Sequence, residues 1–188
     1  LPYKVLVEND ANVAALGEAW QGAAKDFDSI VMVTLGTGVG GGIIVDGKII
    51  SGNSGAGGEI GHMPFLENAL TRTCGCGGHR CFEQVASATG LESLANDHLF
   101  RNDEESVLRD IDGFLAKDIF EAYKNKDKIA TQVVEEYYFH LARGLAIISS
   151  IIDPQAFVIG GGVSNSGEVL INGIQKEFKN LCFPTMKD

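Results

Sequence analysis

Positive charge is scarce in this 188-residue sequence. Fifteen Lys and Arg stand against twenty-five Asp and Glu, for a net charge of −10. A broad nucleic-acid footprint needs clustered cations to offset phosphate, so this stretch is not expected to supply one. A single phosphate ligand stays open, because a few backbone amides hold one locally. Long apolar runs are also missing. The longest, Leu145 to Ile152, is broken by Ser149 and Ser150 and is too short to cross a bilayer. No secretory leader pattern is visible. The four cysteines are not spaced like a secreted disulfide framework, since Cys74, Cys76 and Cys81 crowd together. A reducing cytoplasm is the expected setting. There are no repeats, low-complexity tracts or internal linkers, and the length suits about one domain with a substantial core. The chain opens on Leu1 in a strand-like run, so a fragment of a longer protein is expected.

Glycine is abundant: twenty-four residues, gathered between 36 and 78 and again at 160–162. Around them the apolar pattern predicts alternating strands and helices. Lys4–Val7 reads as a short strand. A helix follows, with Val13, Leu16 and Trp20 recurring among alanines and Asn9 or Asp10 placed to cap it. Ser29–Leu35 reads as a buried strand, Ile43–Val45 as a second, and an Asp46-Gly47 turn leads to a third at Lys48–Ser51. Helices are expected over residues 84–99, Phe114–Tyr123, Lys128–Ile152 and Gly167–Asn180, with an exposed polar connection from Arg101 to Asp112. In the longest, residues 130, 134, 137, 141, 145, 148 and 152 form one stripe suited to a core. Asp153-Pro154 ends that helix, and Ala156–Ile159 reads as a strand. His79, His98 and His140 read as structural.

Gly36, Gly38 and Gly41 match the G-x-G-x-x-G dinucleotide fingerprint, but that motif requires a helix after the glycines. A strand is expected here instead, so the fingerprint is rejected. Gly36-Thr37-Gly38 then reads as a turn between strands, either plain or facing a phosphate. The Gly160–Gly162 run between strand and helix reads as tight packing or as a nucleotide contact at a sheet edge. His62 stands eleven residues before Cys74, and the spacing continues Cys-x-Cys-x4-Cys. One imidazole and three thiolates are a preferred tetrahedral set for structural zinc. A disulfide-bonded or reduced cysteine loop is the alternative. Asn9 and Asp10 are equally readable as a plain helix cap.

Taken together, Val7-Glu-Asn-Asp-Ala-Asn12, Leu35-Gly-Thr-Gly-Val-Gly-Gly-Gly42, Gly58-Glu-Ile-Gly-His62, the three cysteines with Glu83, and Val158-Ile-Gly-Gly-Gly-Val-Ser164 resemble the ROK family of sugar kinases and sugar-responsive repressors. The motifs occur in the family's order across nearly the whole chain. The resemblance implies an α/β fold of the actin-like ATPase, or ribonuclease H-like, type with a zinc-stabilised loop. It implies that residues 1–188 form the C-terminal sugar- and zinc-binding domain of a longer kinase, with the N-terminal phosphate-binding domain outside this stretch. By the same resemblance Asp10 is the catalytic base. Asn9, Glu59, His62 and Glu83 are sugar ligands. Thr37, Gly38, Gly161 and Gly162 meet the nucleotide, and His62, Cys74, Cys76 and Cys81 hold Zn2+. One departure is Arg80, where the family has glycine before its third cysteine.

The implied activity is ATP- and Mg2+-dependent phosphorylation of a hexose, glucose first, with N-acetylated hexosamines, fructose and mannose also open. A fragment lacking half the phosphate site is expected to be inactive alone. A homodimer or homotetramer is the expected assembly. Two other readings stand beside this one: a sugar-sensing repressor whose DNA-binding head lies upstream, and a zinc-stabilised assembly domain without catalysis.

Overall fold

The computed structural model describes residues 7–187. The strand expected at Lys4–Val7 lies almost wholly outside them. The described chain forms a four-stranded sheet in the order β3-β2-β1-β4, with helices on both faces. β1 (Ile30–Leu35) pairs antiparallel with β2 (Val39–Val45) and parallel with β4 (Ala156–Gly160). β3 shrinks to Lys48–Ile49. Asp46 and Gly47, both at positive φ (50° and 70°), make the turn between β2 and β3, as the Asp-Gly pair predicts.

Side chains alternate across a strand, so β1 serves two cores. Ile30 and Met32 join Ala15, Ala24 and Ile44 in a small cluster under α1 (Asp10–Gln21). Val31, Val33 and Leu35 face the main core, with Phe82, Leu91 and Leu141. Helix α5 (Lys128–Ile152) runs through that main core. Its expected stripe is buried from Ala130 to Ile148, with Ile152 partly covered. Asp153 ends it in the left-handed region at φ 50°, consistent with a stop before Pro154.

Two helical expectations change. The inward face of α1 consists of Ala11, Asn12 and Ala15, while Val13, Leu16 and Trp20 are exposed, Trp20 by 78%. The cause lies on β2: a Cβ at Gly42 would fall 2.6 Å from the Ala11 carbonyl and 2.6 Å from the Ala15 methyl. Only small residues let the helix sit this close to the strand, so the alanines face in. The second change is at 84–99, where Ser87 divides the helix into α2 (Glu83–Ala86) and α3 (Ala88–Arg101). The connection after Arg101 is less open than expected, because a short 3-10 turn at Val107–Asp110 buries Leu108. α4 (Ala116–Lys124) and α6 (Glu168–Leu181) complete the elements. Leu170 and Ile174 of α6 are buried, and the partly covered Phe178 meets Phe157 at 6.0 Å between ring centroids.

Candidate functional site: a His-Cys cluster beside a glycine turn

The glycines of β2 gather two segments at one place. Gly40 and Gly42 accept the first turns of α1, and a Cβ at Gly41 would lie 2.4 Å from the Gly58 carbonyl. Gly58 itself, at φ 91°, takes a backbone conformation that side chains rarely allow. This brings Glu59 and the following 3-10 turn, Ile60–His62, against the end of β2.

His62 then reaches in two directions. Its Nδ1 is 3.3 Å from Cys74 Sγ and 3.8 Å from Glu83 Oε1, while Nε2 is 3.9 Å from Glu59 Oε2. Cys76 Sγ is 3.4 Å from both Cys74 and Cys81. Sulfurs this far apart are not bonded, and all three cysteines are free. The four donor atoms lie within 4.8 Å of one another. A tetrahedral zinc site with about 2.3 Å Zn–S bonds sets its sulfurs about 3.7 Å apart, so the donor set and its spacing fit that ion. Burial raises the thiol pKa of Cys74, helped by its hydrogen bond to Glu83 Oε1 (2.8 Å), and burial also raises that of Cys81. Cys76, at the surface, is lowered chiefly by the Gly78 amide. Gln84, almost fully buried, closes the base of the loop: its Oε1 accepts the Cys81 amide and its Nε2 donates to the Arg72 carbonyl. Phe65 anchors the loop from inside, with Phe82 at 4.9 Å and the Arg143 guanidinium over its ring at 4.6 Å.

Glu83 also reaches the glycine turn. Its Oε2 accepts the Val39 amide at 3.4 Å, and a Cβ at Gly38 would meet that same oxygen at 2.6 Å. The turn Gly36–Gly38 sits at the carboxyl end of β1. Gly161, at φ 85°, lies on the same strand end, where a Cβ would come within 2.5 Å of the Leu35 carbonyl. Thr37, Gly38, Gly161 and Gly162 therefore occupy one edge, at the carboxyl ends of the parallel pair β1 and β4, the place where α/β sheets take ligands.

Glu59, His62, Glu83 and the three cysteines are thus brought together beside the turn. Asn9 caps α1, its Oδ1 accepting the Ala11 and Asn12 amides at 2.9 and 3.3 Å. Asp10 lies in the first turn of α1, its Oδ1 accepting the Ala11 amide at 2.8 Å. The helix approaches the Gly58 segment through Asn12, whose Oδ1 lies 3.7 Å from where a Gly58 Cβ would stand. Asn12 is almost fully buried, and that Oδ1 has no partner among the described residues. Gln84 was not singled out from the sequence, where a lone amide carries no spacing signal, and Asn12 stood there only as the last residue of a family motif with no role of its own. A cavity of about 560 Å³ between α5, β4 and α6 is lined by none of these residues.

A mixed α/β sheet with glycine turns at its parallel strand ends and a His-Cys cluster alongside is the architecture of the described residues. The chain belongs to the ROK family, whose sequence pattern matches residues 1–187. It is 40% identical over 187 residues to a glucokinase of Halalkalibacterium halodurans, covering 98% of this chain and 56% of that protein. Among solved structures it is similar to a ROK family glucokinase of Streptomyces griseus in complex with glucose and AMPPNP (38% identity, TM-score 0.85, covering 96% of this chain and 59% of that one). It is also similar to a ROK family transcriptional regulator homologous to the E. coli MLC protein (27% identity, TM-score 0.85, covering 98% and 46%). The chain spans little more than half the length of the two glucokinases and a little under half that of the regulator. Among the described residues, no helix is long and apolar enough to cross a membrane.

Proposed function

We propose that this chain is the C-terminal, sugar- and zinc-binding half of a cytoplasmic ATP-dependent hexose kinase, with glucose the first substrate to test. The observation that carries the reading is the grouping of Glu59, His62 and Glu83 around a metal-binding set that touches the glycine turn. A hexose presents several hydroxyls and is held by several fixed acceptors. His62 would serve both sides, Nδ1 toward the metal and Nε2 toward the sugar. Bound zinc would fill its four positions with His62, Cys74, Cys76 and Cys81, and would act as a structural brace. Asn9 and Asp10 stand at the head of α1, Asn9 as a further hydroxyl ligand.

Asp10 is assigned as the general base. As the hydroxyl oxygen bonds to the γ-phosphorus, its proton passes to the Asp10 carboxylate and the bond from phosphorus to ADP breaks. Positioned proton acceptance of this kind contributes about 10²–10⁴ in rate. The amides of Thr37 and Gly38, with Gly161 and Gly162 and a Mg2+ ion, would align and neutralise the phosphates, the chief requirement of phosphoryl transfer. The actin-like architecture of two α/β domains belongs to the same proposal, as does an assembly of two or four chains.

The test is Asp10→Asn in the full-length protein. Turnover should fall by at least about 10²-fold while hexose affinity in calorimetry stays within a few-fold of wild type. Turnover near the wild-type level rejects the assignment. The likeness to a transcriptional regulator favours a second reading, sugar sensing without transfer. Hexose binding with no ATP-dependent phosphorylation by full-length wild-type protein would select it.

A further inference from the structure

We infer that Thr89, through the corner Ser87–Thr89, is a positioning residue for phosphate. Its hydroxyl aims the Gly38 amide by holding the Thr37 carbonyl on the other side of the same peptide plane, next to the Ala88 amide, which holds the Gly36 carbonyl and so aims the Thr37 amide. The inference rests on reading the Gly36–Gly38 turn as the phosphate contact, and it names what shapes that contact.

The turn has four amides, and their bonds can be followed one by one. The Gly36 amide donates back to the Gly38 carbonyl at 3.0 Å. The Val39 amide donates to Glu83 Oε2. Among the described residues, the Thr37 and Gly38 amides donate to no protein acceptor. Thr37 is exposed and Gly38 half-buried, so these are the two amides of the turn that solvent or a ligand can reach.

Their direction is set from the opposite side. The Gly36 carbonyl accepts the Ala88 amide at 2.8 Å, and the Thr37 carbonyl accepts the Thr89 hydroxyl at 2.7 Å. In a planar trans peptide the carbonyl and the following N–H point in opposite directions. Holding carbonyls 36 and 37 toward α3 therefore turns amides 37 and 38 away from it, both to one side. Consecutive amides aimed together form an anion-binding concavity. The Ala88 bond to the Gly36 carbonyl also satisfies one of the orphan donors at the start of α3.

The Thr89 hydroxyl is itself oriented. Ser87 is buried to 1% exposure, and its Oγ accepts the Gly90 amide at 2.9 Å. Ser87 Oγ and Thr89 Oγ1 are 3.0 Å apart. The Thr89 proton is committed to the Thr37 carbonyl, so the proton between the two hydroxyls comes from Ser87. The relay runs Ser87 to Thr89 to Thr37 in one direction. It requires a hydroxyl at 89, and the threonine methyl takes no part in it.

The experiment uses full-length, 15N-labelled protein and a non-hydrolysable ATP analogue. In wild type, the Thr37 and Gly38 amide resonances should shift on adding the analogue. Thr89→Val keeps the shape and removes the donor; losing one hydrogen bond should weaken analogue binding about 5-fold or more and shrink the Gly38 shift, with hexose affinity unchanged. Thr89→Ser should restore both. Absence of the wild-type shifts would remove the phosphate reading and this inference with it. Wild-type shifts together with equal analogue affinity in Thr89→Val would overturn the inference alone. A Ser variant as weak as the Val variant would do the same, by showing that packing of the methyl matters and the donor does not.

Discussion

His62 and Glu59 stand three residues apart on one tight turn, and Nε2 of the histidine faces Oε2 of the carboxylate across 3.9 Å, while Nδ1 looks the other way to Cys74. The two nitrogens can therefore be separated experimentally. His62→Cys replaces imidazole with a thiolate, and four thiolates are also a good zinc set. The expected outcome is retention of about one zinc per chain by elemental analysis, with hexose affinity reduced about 10-fold or more for want of Nε2. Loss of both together would mean that the histidine serves the metal alone.

The loop from Leu66 to Arg80 has little apolar anchorage besides Leu66 and Leu70, and Arg80 is exposed. On the proposed zinc site, metal binding and local folding would be coupled. Strong chelation should release the metal and open this loop to trypsin at Arg72 and Arg80. The main core, built around α5, stays folded. Mass spectrometry of the digest checks it, with cleavage expected there first and suppressed by added zinc.

Gly144 on α5 carries no side chain because Phe82 fills the space: a Cβ would come within 2.4 Å of the ring. Phe82 is fully buried and sits between Cys81 and Glu83. Overpacking costs about 1–3 kcal/mol, against about 1 kcal/mol that Ala gains over Gly in a helix. Gly144→Ala should therefore be net destabilising in urea unfolding, and should loosen metal retention, because the ring moves the segment that carries Cys81.

Glu136 on α5 bonds to His98 of α3 at 2.7 Å and to His140 at 3.4 Å. The hydrogen bond from His140 is the largest influence, and the carboxyl falls from 4.5 to about 2. A lowered carboxyl pKa adds stability that is complete above the unfolded value and lost as pH falls. The window here runs from about pH 4.5 down to about 2. With the side chain 40% exposed, solvent screening holds the contribution to about 1 kcal/mol. Glu136→Gln should cost about that much at pH 7, and the gap should close in the acid limb of a pH–stability curve.

Features carried by local chemistry were readable in the chain. The Asp46-Gly47 turn, the stop at Asp153-Pro154, the α5 stripe and the His-Cys grouping each follow from neighbouring residues or from fixed spacing. Replacing the dinucleotide fingerprint with a turn between strands was readable too, since β2 starts at Val39. What escaped depended on distant partners. The inward face of α1 is decided by Gly40 and Gly42, more than twenty residues away, and periodicity in Val13, Leu16 and Trp20 cannot report that. Ser87 lies between Ala86 and Ala88, both good helix formers, so the break stayed hidden. The relay through Thr89 joins residues fifty-two apart and leaves no local trace.

Gly161 lies against the Leu35 backbone so closely that no side chain could come between them. The two glycine segments are consequently one rim, built as a piece. A fluctuation that lifts one must carry the other, so their amide protons are expected to exchange with solvent in step.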